Sequence, residues 1–252
     1  MRFQVLGSHG GEVRGTRLPG FLVNDRLLVE AGSVTTALSL KEQGKVQQVL
    51  LSHAHLDHIA GLPFLADNLA IDGRTSPVTA AALAPVIQDL RMHCFNNRLW
   101  PDFTLLPEPA APILRFQVLP EEEEVDFEGL RVTTIPVNHA VSAAGFIVHD
   151  GTEGFVFSGD TGPTHRLWEL ARGIKGIRAV VVEAAFPDRM EPLARVSGHL
   201  TPRLLERERE KMPDAPLWVY HLKPGVYDET AEQLSRLSRE IHILEQDRTY
   251  TL

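Results

Sequence analysis

LLSHAHLDHIAGLP, residues 50–63, follows the apolar run Val46–Leu51 and sets three histidines and an aspartate within six positions: His53, His55, Asp57 and His58. Polar groups at the end of a buried strand are costly unless something partners each of them. In extended or turn backbone, His53 and His55 project to one side while Asp57 and His58 can turn to another. One short loop of this kind can serve two metal ions. Imidazole nitrogens suit zinc and other borderline divalent ions, a carboxylate can join them, and no thiolate lies nearby. The pattern therefore fits an open catalytic site better than a closed structural one.

Such a site needs partners from elsewhere in the chain. TTIPVNH ends at His139, FVFSGD at Asp160 and LWVYH at His221, each a polar residue after an apolar strand. Singly, a histidine so placed is more often a hydrogen-bonded structural residue than a ligand. Four such clusters at strand ends weigh the other way.

The 252 residues, 43% of them hydrophobic, are enough for a substantial core, and one domain over 1–252 is expected. The net charge of -8 and the lack of a Lys/Arg block give nucleic-acid binding no support, which leaves a small ligand as the expected partner. Cys94 is the single cysteine and MRFQVLG reads as a strand rather than a secretion segment, so a cytoplasmic setting is expected. No apolar run approaches the roughly 20 residues that span a bilayer.

Short β-rich runs fill the first fifty residues, and Thr35–Gly44 is expected as the first helix. Further strands are expected at PVTAA, PILRFQVL, LRVTTIPV, AAGFIVH, GFVFS, IRAVVVE and PLWVYH. Helices are expected near Ala82–His93, Thr164–Arg172, Pro202–Lys211 and Glu229–Glu240, which gives a mixed α/β order. Thr201 and Pro202 offer a cap and a first-turn residue, and Asp228 precedes the last helix. Glu121–Glu124 reads as a solvated turn. LGSHGGEVRG lacks the spacing of a dinucleotide fingerprint, and His9, His149, His165 and His242 read as structural or surface residues.

SHAHLDH, with His139, Asp160 in SGDT and His221, resembles the metallo-β-lactamase superfamily. More narrowly, HAHLDHIAGLP, MHCFNNRLWPDF (92–103), SGHLTP (197–202) and HLKP (221–224) resemble the class II cyclic-nucleotide phosphodiesterases. The resemblance implies a four-layered αββα sandwich with two divalent metal ions, zinc or manganese, at one edge. It places His53, His55 and His139 on the first metal, Asp57, His58 and His221 on the second, and Asp160 between them. Glu30 stands in VEAG where related chains often carry Asp; either carboxylate can support the loop by hydrogen bonding.

The implied reaction is hydrolysis of 3′,5′-cyclic AMP or cyclic GMP to the 5′-monophosphate. A hydroxide shared by two cations roughly 3.5–4 Å apart would attack the phosphorus. His199 is the candidate proton donor to the leaving oxygen, Glu183 would orient it, and Asp57 carries two jobs, metal ligand and proton acceptor. Lys223 reads equally well as a phosphate neutraliser or a surface lysine. The aromatic and amide-rich stretch near 91–106 is expected to form a lid or an interface, with His93, Asn96 and Trp100 as base-facing candidates. The resemblance also implies a homodimer. The rival readings are a phosphodiesterase acting on RNA 3′ ends, recommended by VEAAF and SGHLTP, and a non-catalytic metal or nucleotide sensor.

Overall fold

The structure is a computed structural model in which residues 1–237 and 240–252 are described. Apolar side chains on both faces of its central strands dictate the layering. Along Ile177–Glu183, Ala179 and Val181 enter one hydrophobic cluster while Val180 and Val182 enter another. Phe155 and Phe157 likewise oppose Val156, and Trp218 and Tyr220 oppose Leu217 and Val219. A strand covered on both sides reads as an unbroken apolar run, which is why AVVV carries no polar alternation.

Two seven-stranded sheets result. The first runs, edge to edge, Thr249–Thr251, Arg2–Gly7, Gly20–Val23, Leu27–Val29, Gln48–Leu50, Val78–Ala82 and Leu114–Val118. The second runs Ile241–Ile243, Leu217–Tyr220, Ile177–Glu183, Gly154–Phe157, Ala144–His149, Leu130–Pro136 and Glu124–Phe127. Aromatic rings join the facing surfaces: Phe3 meets Phe155 edge-on at 5.2 Å between ring centres, and Phe21 meets Tyr220 at 5.3 Å. Helices Arg166–Arg172 and Pro202–Arg209 pack on the second sheet through Leu167, Trp168, Leu204 and Leu205. Leu62–Ile71 and Ala84–Asp89 pack on the side of the first through Leu65, Ala66, Val86 and Ile87. This is the αββα sandwich expected from the resemblance. No helix among the described residues is long and apolar enough to cross a membrane.

Strand direction gathers the polar residues at one edge. Gly154–Phe157, Ile177–Glu183 and Leu217–Tyr220 are mutually parallel, and Leu130–Pro136 runs the same way, two antiparallel pairings removed. Their carboxyl ends point to one side, the usual position for a site in α/β sheets. The Ala144 N–H donates to the Ser52 carbonyl at 3.0 Å, tying this edge of the second sheet to the segment after Gln48–Leu50 in the first.

Several expected elements shift for local reasons. Thr35–Gly44 is two short helices, Val34–Ala37 and Leu40–Gln43, because Ser39 and Glu42 form a reciprocal capping box that restarts the helix. Ala82 ends a strand, and the expected helix begins at Ala84 and continues through a π-helical turn at Leu90–Cys94. The last helix spans Tyr227–Ser235, so Asp228 lies in its first turn; two residues of the expected Glu229–Glu240, 238 and 239, lie outside the described residues. Leu62–Ile71 and Glu191–Ser197 are additional helices. Pro63 and Pro192 each sit in a first turn, where the missing N–H has no intrahelical acceptor to satisfy, so these prolines open helices rather than interrupt them. Thr201 caps as expected, its hydroxyl accepting from Leu204 N–H. Glu121–Glu124 is exposed, and Glu122 forms a two-pronged ion pair with Arg166.

Candidate metal centre

All seven residues of the expected ligand set meet at this edge. His53 lies in the loop after Gln48–Leu50, His55 is the N-cap of the helical turn Leu56–Ile59, and Asp57 and His58 lie within that turn. His139 follows Leu130–Pro136, Asp160 follows Gly154–Phe157 and His221 follows Leu217–Tyr220. Two triads have ligand atoms within 4.8 Å of one another: His53, His55 and His139, and Asp57, His58 and His221. Asp160 Oδ2 stands between them, 3.8 Å from His53 Nε2, 3.3 Å from His58 Nε2 and 3.1 Å from His221 Nε2.

Neighbouring groups aim the rings. His139 Nδ1 donates to the Gly198 carbonyl at 2.9 Å, which leaves Nε2 of the neutral ring as a lone pair facing His55 Nδ1 at 3.3 Å. Ser52 Oγ contacts His53 Nδ1 at 2.9 Å and so reserves Nε2 for the centre. Glu30 has two tasks: Oε1 accepts from the Ser52 N–H at 3.2 Å, and Oε2 faces His58 Nδ1 at 3.3 Å. Outer carboxylates and carbonyls of this kind fix the tautomer of a metal-bound imidazole. His53 Nε2 and Asp160 Oδ1 are buried without a hydrogen-bond partner. Buried polar atoms are rarely left so, and a cation would satisfy both. The donor set thus fits divalent metal ions.

Protonation follows the same geometry. Burial lowers His53, His55 and His139 below the ordinary imidazole value, leaving them neutral as metal binding requires. For His58, burial opposes the cation, but the Asp160 and Glu30 carboxylates outweigh it and hold the ring well above its ordinary value. For Asp160, burial opposes ionisation, yet the His221 and His58 rings hold the carboxyl well below its ordinary value. Asp57 is also lowered, burial being outweighed by its hydrogen bond from His221 and by His58.

His199 and Glu183 flank this cluster. Glu183 ends the strand Ile177–Glu183, and its Oε1 lies 2.8 Å from His199 Nδ1. His199 follows Glu191–Ser197, packs 5.1 Å from the His139 ring and 5.3 Å from the His221 ring, and has further potential ligand partners in Asp160 and Glu183. Lys223 Nζ is 3.8 Å from Asp57 Oδ2, a cation at the rim.

The three base-facing candidates separate. His93 is exposed and lines a cavity that also touches His55. Asn96 spends its amide on its own loop, donating to the Met92 carbonyl and accepting from Arg98 and Leu99 N–H. The Trp100 indole donates to the Pro63 carbonyl and packs against Phe64. His93 lines the cavity beside His55, whereas Asn96 bonds within its own loop and Trp100 ties that loop to the segment at Pro63. Ser52, the Gly198 carbonyl and Gly10 had not been anticipated. Ser52 acts through its hydroxyl on His53, Gly198 through its carbonyl on His139, and Gly10 through close approach to His221.

A family profile described as the Beta-lactamase superfamily domain matches residues 26–244. The 3′,5′-cyclic-nucleotide phosphodiesterase of Schizosaccharomyces pombe is 28% identical over 204 residues, covering 73% of this chain and 56% of that protein. The probable 3′,5′-cyclic-nucleotide phosphodiesterase of Yersinia pestis is 27% identical over 205 residues, covering 71% of this chain and 58% of that protein, so the chain spans under two thirds of either relative. Among solved structures, unliganded yeast PDE1 is 18% identical with a TM-score of 0.85, covering 100% of this chain and 99% of that one. Human tRNase Z, short form, is 16% identical with a TM-score of 0.75, covering 100% and 99%. At these identities the two structures bear on the fold alone.

Proposed function

This chain belongs to the beta-lactamase superfamily, and from that premise we propose that it is a metal-dependent phosphodiesterase converting 3′,5′-cyclic nucleotides to nucleoside 5′-monophosphates. The observation that carries this reading is the position of Asp160 between two ligand triads, with His199 and Glu183 beside it. The similarity to cyclic-nucleotide phosphodiesterases supports the choice of substrate.

In this proposal His53, His55 and His139 would hold one divalent cation and Asp57, His58 and His221 a second, with Asp160 available to both. When bound, the pair, zinc or manganese, supplies positive charge against a phosphoryl group and a water acidic enough to act as nucleophile near neutral pH. The water oxygen forms the new P–O bond as the bond from phosphorus to the 3′ oxygen breaks. His199 Nε2 gives its proton to the departing 3′ oxygen, and Asp57 takes the proton the water loses. Glu183 orients His199 and favours its protonated form: burial opposes the charge, but the adjacent carboxylate raises the ring above its ordinary value. Lys223 adds positive charge on the substrate side. The same proposal includes a small-molecule substrate, a cytoplasmic setting, a homodimer and a single domain over 1–252.

The test is turnover of cyclic AMP and cyclic GMP by protein loaded with zinc or manganese, products separated, beside a chelated control. Metal-dependent release of 5′-monophosphate is expected. No release from protein with metal demonstrably bound would overturn the substrate assignment, and cleavage of RNA 3′ ends in its place would favour the rival reading.

A further inference from the structure

A cavity of about 360 Å³ opens directly beside the metal centre, with His55 in its wall. Its other walls are mostly apolar: Leu56, Ile59, Cys94, Leu99 and Val141. Three of these side chains are open to solvent, Leu56 at 74%, Leu99 at 69% and Val141 at 41% exposure. Scattered exposed leucines need no explanation, but apolar groups gathered around one cavity next to a polar centre mark a surface that is covered in use. The volume lies near the lower end of small-molecule sites. It suits a ring system with part of a sugar.

The polar groups in the lining are few and placed together. Besides His55, Asp89 and His93 lie four residues apart, where the helix Ala84–Asp89 passes into the π-helical turn Leu90–Cys94. An ionised carboxylate accepts hydrogen bonds and donates none, so Asp89 would take the N–H edge of a flat heterocycle whose faces meet the apolar walls. The wall is also held in place. Asn96 accepts from Leu99 N–H, Trp100 N–H donates to the Cys94 carbonyl, and the Trp100 indole is anchored on Pro63.

We propose that this cavity is the nucleobase subsite, with Leu99 and Val141 contacting the faces of the base and Asp89 accepting from its edge. This rests on the phosphodiesterase reading above. The ring of His139 stands between those of His55 and His199, 5.0 and 5.1 Å from each. A nucleotide phosphate at the centre can therefore turn its leaving oxygen toward His199 and its base toward the His55 side.

The experiment is calorimetric titration of zinc-loaded protein with adenosine 5′-monophosphate, guanosine 5′-monophosphate and ribose 5-phosphate, which lacks the base. At least one nucleotide is expected to bind tenfold or more tightly than ribose 5-phosphate. Leu99→Ser, Val141→Ser and Asp89→Asn are each expected to shrink that ratio several-fold with metal content unchanged. All three side chains are on the surface, and melting curves check that each variant is folded. A ratio near one in the unsubstituted protein, or a ratio that none of the variants moves, overturns the assignment. Dissociation of a dimer in sedimentation with the ratio unmoved also overturns it, and gives the apolar wall to a second copy of the chain. Cyclic-nucleotide turnover in the same preparation keeps the two readings apart: a base preference that depends on the cavity, without turnover, leaves the subsite standing and removes the reaction.

Discussion

His199 Nδ1 lies 2.8 Å from Glu183 Oε1, and that same oxygen accepts from the backbone N–H groups of Thr161 and Leu200, each at 3.2 Å. The carboxylate is thereby fixed to the segment after Asp160 and to the residue after His199. His199→Ala is expected to retain metal and to lose about 10²–10⁴ in kcat, the range for removing a positioned acid. Asp160→Ala should lose metal as well as turnover. Metal analysis that found the opposite pattern would sink this division of roles.

The pH profile tests the same pair. Glu183 raises His199, so the acid form persists to higher pH, and activity that needs it is present below the raised value and lost as pH climbs through it. Glu183→Gln removes the charge, and the alkaline limb of kcat should move to lower pH. A limb that stays in place would show that another group titrates there.

Metal loading near pH 7 should release protons. His58 is held well above its ordinary value, burial being outweighed by Asp160 and Glu30, and it has to become neutral to bind a cation. Without metal, that raised ring stabilises the fold fully below the ordinary imidazole value, and the gain is lost as pH rises through the raised one. Asp57 and Asp160 are depressed, so their contribution is present above the ordinary carboxylate value and lost as pH falls through the depressed one. His53, His55 and His139, lowered by burial, work against His58 and penalise the metal-free fold as pH falls below the ordinary imidazole value. Calorimetry of zinc binding in two buffers of different ionisation enthalpy reads the protons directly, and identical heats would contradict the assignment to His58.

Glu30 joins the Ser52 N–H to His58 Nδ1. Removing a partner of this kind typically weakens metal binding by about 10–100-fold. Glu30→Ala should fall in that range in a chelator competition, while His199→Ala, measured alongside, keeps its affinity. Equal affinities for Glu30→Ala and the unsubstituted protein would make the contact incidental.

Much of the site could be read in advance because its residues break strong local patterns. His139, Asp160 and His221 each follow an apolar strand, fully buried for Gly154–Phe157 and Leu217–Tyr220, and a polar residue at such a strand end needs a partner. The strands themselves were visible for the same reason. The helix expected over Thr35–Gly44 failed because Ser39 and Glu42 satisfy each other's backbone locally, which outweighs a continuous helical pattern. Asn96 and Trp100 carry chemistry that suits a base and a loop equally well, and residue type alone does not place the Met92 and Pro63 carbonyls to which they donate. The Gly198 carbonyl that aims His139 is backbone, and any residue supplies one. What residue type does announce at that position is the backbone: Gly198 has φ of +69° and lies against His139.

Gly10 gives the last test, because it is defined by space rather than by conformation. A Cβ there would lie 2.4 Å from the His221 carbonyl oxygen and 2.6 Å from His221 Nδ1. His221 cannot retreat freely: its N–H donates to the Ser8 carbonyl at 2.7 Å, and its own φ is +71°, a conformation costly for a residue with a side chain. Gly10→Ala should therefore displace the ring from Asp57 and Asp160 and weaken the second metal group, lowering affinity about tenfold or more by the same reasoning as for outer-shell contacts. Gly225→Ala, where a Cβ meets nothing within 4 Å, should change neither metal content nor melting temperature. Stoichiometry by metal analysis after dialysis separates the cases: loss of one metal of two from Gly10→Ala with Gly225→Ala intact is expected, and full retention by both would show that His221 is not held by this contact.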